Sequence, residues 1–102
     1  MKEYSQAKAA AAIAIELSPD SPLGFSCRGK AHFGLGLHEE ALTDLSRSIE
    51  IDPTLWEGEH FFWRAKIYEQ CGQPDLAVRD RESAKKAGFD ASDPDEIDEH
   101  EQ

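Results

Sequence analysis

Apolar residues recur along this chain in a helical rhythm that Gly and Pro interrupt at intervals. Residues 3–17 contain neither Gly nor Pro and are rich in Ala, a composition that favours helix strongly. Within them Tyr4, Ala7, Ala11, Ala14 and Leu17 follow i, i+3 and i+4 steps, which predicts a single apolar stripe. A second helix is predicted over 23–35, with Ser21 or Asp20 as N-cap, Pro22 at the first turn and Gly36 as the stop. A third covers 38–51, with Ala41, Leu42, Leu45, Ile49 and Ile51 as its apolar positions. Asp52-Pro53 ends it, because a residue before Pro avoids the helical region. A fourth runs from Leu55 or Gly58 to Gln70 and stops at Gly72, and a fifth from Pro74 to Ala87 stops at Gly88. Ser92-Asp93-Pro94-Asp95-Glu96 combines a cap, a first-turn Pro and early carboxylates, so a short sixth helix carrying Ile97 is predicted there. No segment alternates with period two, and no sheet is expected.

The helical stretches repeat. Ile-Glu-Leu-Ser-Pro ends at Pro19 and Ile-Glu-Ile-Asp-Pro at Pro53, and Ala7 recurs as Ala41 at the same spacing of 34 residues. Gly36 and Gly72, like Ala41 and Ala77, are 36 apart, so the last copy holds two extra residues between Pro53 and Phe61, around Trp56. A period in this range marks a solenoid built from one supersecondary unit.

The period, together with the residue types at fixed offsets, resembles the tetratricopeptide repeat family, whose unit is an antiparallel pair of helices, A and B. In the middle unit Phe25, Gly29, Gly36, Ala41 and Pro53 stand at family positions, with His32, Leu45 and Ser48 replacing the usual Tyr, Phe and Ala. In the last unit Phe61, Ala65, Tyr68, Gly72, Ala77 and Ala84 fit, while Arg81 and Phe89 depart from the usual Phe and Pro. The resemblance implies an all-α solenoid over 1–91: a half repeat at 1–21, full repeats at 22–55 and 58–91, then an acidic tail or capping segment at 92–102. Read physically, Gly29 and Ala65, with Ala41 and Ala77 opposite, allow close helix approach, and Phe25, Phe61 and Tyr68 fill the remaining space.

Charge divides the chain. The net charge is −10, but residues 89–102 hold seven of the 21 acidic residues and no Lys or Arg, leaving 14 acidic against 11 basic residues in 1–88. A near-neutral body with an acidic appendage lacks the basic surface that phosphate contacts need, so no nucleic-acid partner is expected. No apolar run reaches membrane-spanning length and no charged-then-apolar leader opens the chain, so no membrane partner and a cytoplasmic setting are expected. Cys27 and Cys71 form neither a metal pattern nor a disulfide framework and are read as reduced, half-buried thiols.

Chemistry-bearing motifs are sparse. His32, His38, His60 and His100 lack ligand spacing, so no metal is expected. Gly29-Lys30 with Gly34 and Gly36 only superficially looks like a phosphate loop, since Ala31 replaces the needed Ser or Thr and the stretch is helical. No nucleophile, base and orienting group converge, so neither catalysis nor a cofactor is expected. The family's groove-facing A-helix positions, carried over by register, fall on Leu23, Ser26, Cys27, Lys30, Phe33 and Gly34, and on Glu59, Phe62, Trp63, Lys66, Glu69 and Gln70. Among these Ser26, Lys30, Phe33, Phe62, Trp63 and Lys66 are the expected partner-binding residues. They describe a groove with cationic points and apolar pockets, suited to a protein or peptide segment with acidic and apolar side chains. The carboxylate clamp of one family subclass is not expected, because Cys27 and Lys30 hold its Asn positions and Glu59 a Lys position. The alternative expectation is self-association, as a dimer or as part of a longer array, through an uncovered face of residues 3–17.

Overall fold

The computed structural model describes residues 2–89; the acidic segment, and with it the expected sixth helix at 92–97, lies outside the described residues. Five α-helices succeed one another: α1 (Lys2–Leu17), α2 (Pro22–Gly34), α3 (His38–Ile51), α4 (Glu59–Gln70) and α5 (Pro74–Ala87). A short irregular turn at Leu55–Gly58 precedes α4, and no strand occurs among the described residues. The fold is an all-α array of helical hairpins. Helix α2 packs mainly on α3 and α4 mainly on α5, α3 joins the two hairpins by packing on α4, and α1 rests on α2.

Local chemistry accounts for the boundaries. The Ser21 hydroxyl accepts the Leu23 N–H at 3.3 Å, and Pro22 occupies the first turn of α2, where no intrahelical N–H is required. Both hairpin turns use one device. The Leu37 N–H reaches back to the His32 carbonyl and the Gln73 N–H to the Tyr68 carbonyl, each at 2.8 Å. Between those partners Gly36 and Gly72 take φ of +81° and +77°, a region open to Gly without the Cβ clash that other residues meet.

The core is narrow. Ala41, Leu45 and Ile67 are fully buried, with Phe33, Leu42 and Trp63 packed around them. Gly29 makes this contact possible: a Cβ there would lie 2.8 Å from Leu45 Cγ and 3.1 Å from Cδ2. Each hairpin is also tied by the same ion pair. Arg28 donates to Asp44 at 2.8 and 2.9 Å, and Arg64 to Asp80 at 2.7 and 2.8 Å. Both Asp side chains are buried, and bidentate geometry suits the guanidinium fork. The Arg64 fork also donates to Ser46 Oγ at 3.0 Å, coupling the second hairpin to α3 of the first.

Two expectations for helices need correction. The stripe of α1 that packs on α2 runs through Tyr4, Ala11 and Ile15: Ala11 is buried, Ile15 abuts Gly24, and the Tyr4 ring covers Gly34. Ala7, Ala14 and Leu17, expected on the packed stripe, are exposed, Leu17 to 79%. With Ala at 9–12 and 14, every face of α1 is weakly apolar, so contact is decided by which positions carry bulk that fits α2. Cys27 and Cys71 are free thiols and exposed rather than half-buried.

Candidate functional site

The two residues added between Pro53 and Phe61 form an irregular joint. Asp52 Oδ1 accepts from the Thr54 hydroxyl at 2.8 Å and the Thr54 N–H at 3.0 Å, which holds the Asp52 carboxyl below its usual pKa. The chain then places Trp56 (φ 49°) and Glu57 (φ 56°) in the left-handed region. For residues with a Cβ this conformation costs on the order of 1–3 kcal/mol each and persists where the surroundings impose it. Here Gly58 presses on α5, where an added Cβ would lie 2.7 Å from that of Ala87. The joint thereby lifts the Trp56 indole, 45% exposed, beside α2.

Helices α2 and α4 meet along one face of the molecule through their side chains. Phe33 of α2 and Trp63 of α4 stack edge to face, with centroids 5.8 Å apart. Phe62 lies against Trp63 at 6.4 Å and against Phe89 at 5.2 Å. The Lys30 ammonium sits 4.7 Å from the Trp56 ring and 5.7 Å from the Trp63 ring, and donates to Glu59 Oε1 at 2.5 Å. The Lys66 ammonium sits 5.1 Å from the Phe62 ring and 4.9 Å from the Trp63 ring. Trp63 is thus flanked by two cations whose stems lie along aromatic faces, each contact contributing about 0.5–1 kcal/mol at such partly exposed sites. At the far end His38 Nε2 and Gln70 Oε1 lie 3.0 Å apart, again linking the two hairpins.

Five of the six residues expected in a groove, Lys30, Phe33, Phe62, Trp63 and Lys66, gather on this half-buried face. Ser26 does not join its surface: the side chain is fully buried and its hydroxyl has no partner. Its position in α2 turns it towards the packed side. Lys30 is also less available than its sequence position suggests, since Glu59 already neutralises it. Trp56 and Phe89 complete the cluster without having been expected there. Trp56 stands in the two-residue insertion, outside any repeat register, and Phe89 sits where the family pattern has Pro.

Behind this face lies a buried polar link. His60 is fully buried, with Nε2 3.2 Å from the Pro53 carbonyl and Nδ1 2.8 Å from Ser48 Oγ. A carbonyl can only accept, so Nε2 carries the hydrogen, and the single hydrogen of the Ser48 hydroxyl faces two acceptors, Nδ1 and the Pro22 carbonyl at 3.2 Å. Burial is the main reason its pKa lies below the usual His value. Among the described residues no group of three or more His, Cys, Asp or Glu side chains is placed to hold a metal ion. No described helix is long and apolar enough to cross a membrane. An open depression on the outer side of α3, lined by Leu42, Thr43, Ser46, Arg47 and Glu50, is separate from the aromatic face.

Residues 28–55, most of α2 and all of α3 with the Pro after it, match the model of the tetratricopeptide repeat. Over these residues the chain resembles the tetratricopeptide repeat family. Over 52 residues it is 42% identical to the small glutamine-rich tetratricopeptide repeat-containing protein 2 of Mycosarcoma maydis. That match takes in 51% of this chain and 15% of the relative, so it spans only a small part of that relative's length. Tetratricopeptide repeats are in general protein–protein interaction modules and typically non-catalytic, which fits a site made of aromatic rings and lysines.

Proposed function

We propose that this chain is a non-catalytic interaction module whose α2–α4 face receives a segment of a partner protein, extended or helical, bearing apolar and acidic side chains. The observation that carries the reading is Trp63, half-buried between Lys30 and Lys66 and stacked on Phe33. Trp is the residue most often dominant in binding energy when a partner completes its burial. Apolar side chains of the segment cover the Phe33, Phe62 and Trp63 rings. Carboxylates pair with Lys66, and at Lys30 they compete with Glu59. The organisation that goes with this is a half repeat at 1–21 and full repeats at 22–55 and 58–91. The exposed free thiols of Cys27 and Cys71 favour a reducing, cytoplasmic setting.

The test is a peptide-library pull-down with the chain and with Lys30→Glu plus Lys66→Glu. Reversing both charges lowers capture of acidic-apolar peptides by about tenfold or more, as expected where close charge pairs couple by about 1.5 kcal/mol upward. Capture unchanged by the double reversal refutes the assignment.

A second reading, self-association through α1, is favoured by one observation. Ala10, Ile13, Ala14 and Leu17 make an exposed i, i+3, i+4, i+7 stripe on the side away from α2, with Ile13 58% exposed. Light scattering decides it: a dimer that Ile13→Glu dissociates supports this reading, and a monomer at all concentrations removes it.

A further inference from the structure

The described chain ends against the aromatic face. After α5, Gly88 takes φ +105°, and the Phe89 N–H turns back to the Ala84 carbonyl at 2.9 Å. The turn delivers the Phe89 ring onto Phe62, the same ring that carries the Lys66 ammonium. The chain therefore leaves α5 beside Lys66, which has no carboxylate partner among the described residues. Beyond Phe89 the sequence continues through residues 90–102, with seven carboxylates, one large apolar residue (Ile97) and no Lys or Arg. Lys30 and Lys66 both touch the Trp63 ring, so their ammonium groups are no farther apart than the two ring distances together. Thirteen residues can extend roughly 45 Å, several times that span.

We propose that residues 90–102 dock on the α2–α4 face of their own chain, pairing with Lys66 and Lys30, and so compete with partner segments for it. The inference rests on the reading of that face as the docking surface and adds its regulation. Charge complementarity and the entry point at Phe89 select this occupant. A short tether holds a segment near its site at an effective concentration in the mM range, so a weak intrinsic affinity suffices for substantial occupancy. Because the contacts are partly exposed ion pairs, salt loosens them. A partner with a stronger apolar anchor displaces the segment, and high ionic strength assists it.

The full chain allows a direct test, since both of its Trp residues, Trp56 and Trp63, lie at this face. A full-length variant with all seven tail carboxylates changed to amides is compared with the natural chain. The probe is a synthetic peptide of residues 90–102, and the readout is Trp fluorescence. The peptide is expected to perturb the amide variant's emission. It should bind the natural chain at least about threefold more weakly, as intramolecular competition requires. Lys66→Gln in the amide variant should abolish the response, whereas Lys85→Gln plus Lys86→Gln at the end of α5 should leave it intact. Equal binding to both chains overturns the proposal, as does loss through the α5 lysines or a response that appears only as the chain dimerises. The library pull-down on the same amide variant separates the two levels: capture there without any tail effect removes this inference and leaves the docking surface standing.

Discussion

Gly29→Ala offers a test of the packing account in which the sign of the effect depends on a second residue. In isolation the change should help, because Ala is favoured over Gly inside a helix by about 1 kcal/mol. The contact with α3 opposes it. The new methyl would lie 2.8 Å from Leu45 Cγ and 3.1 Å from Cδ2, and Leu45 is fully buried in the core. Overpacking a well-filled site costs about 1–3 kcal/mol, so the net result is a loss of up to about 2 kcal/mol. Leu45→Ala removes the atoms that clash. It costs about 2–5 kcal/mol alone, but in that background Gly29→Ala should stabilise by about 0.5–1 kcal/mol, the helix term acting unopposed. Urea unfolding of the four proteins, monitored by circular dichroism, measures the cycle. If Gly29→Ala stabilises the natural chain, or gives the same change in both backgrounds, α2 and α3 do not approach as closely as described.

Asp80→Ala should destabilise by about 2–3 kcal/mol in the same assay, somewhat less than a fully buried pair because Arg64 keeps some contact with water; an effect under about 0.5 kcal/mol would show the pair to be incidental. Stability should also fall as the pH drops from about 7.5 to about 5.5. His60 has a folded pKa below its unfolded value near 6.5, so the unfolded chain takes up the proton first, and stability present above that value is lost below it at up to about 1.4 kcal/mol per pH unit. His60→Gln should flatten this dependence, and an unchanged slope in the variant would assign the effect elsewhere.

The helices were legible because their ends are written in Pro and Gly. Pro22, Pro74, Gly36, Gly72 and Gly88 each stand at or close to a boundary, and α3 and α5 begin and end where the pattern places them. Face was harder to read than extent. In α1 the Ala run removes the contrast on which periodicity depends, and the packed stripe emerges only from Tyr4 and Ile15 meeting Gly34 and Gly24. At the site, long or aromatic side chains carried by repeat register, Lys30, Phe33, Trp63 and Lys66, lie together on one face. Register alone misplaced Ser26, because a small hydroxyl can be enclosed by neighbours that a Lys would pass. Trp56 escaped because the insertion that creates the strained joint also takes it out of register. The Arg28–Asp44 and Arg64–Asp80 pairs were available in principle: each spans 16 residues, and they recur 36 apart. An Arg and an Asp so separated carry no signal until two helices are laid antiparallel.

The central claim is that a partner segment binds where α2 and α4 meet, and the side-chain N–H resonances of the two indoles report on that place directly. A peptide selected by the library pull-down is titrated into the labelled chain and observed by NMR. The account predicts that the Trp63 indole signal shifts saturably with the peptide, with Trp56 and the backbone amides of Lys30, Phe33 and Lys66 moving on the same curve. Saturable shifts confined to α1 or to the outer side of α3, with the Trp63 indole unmoved, would contradict it.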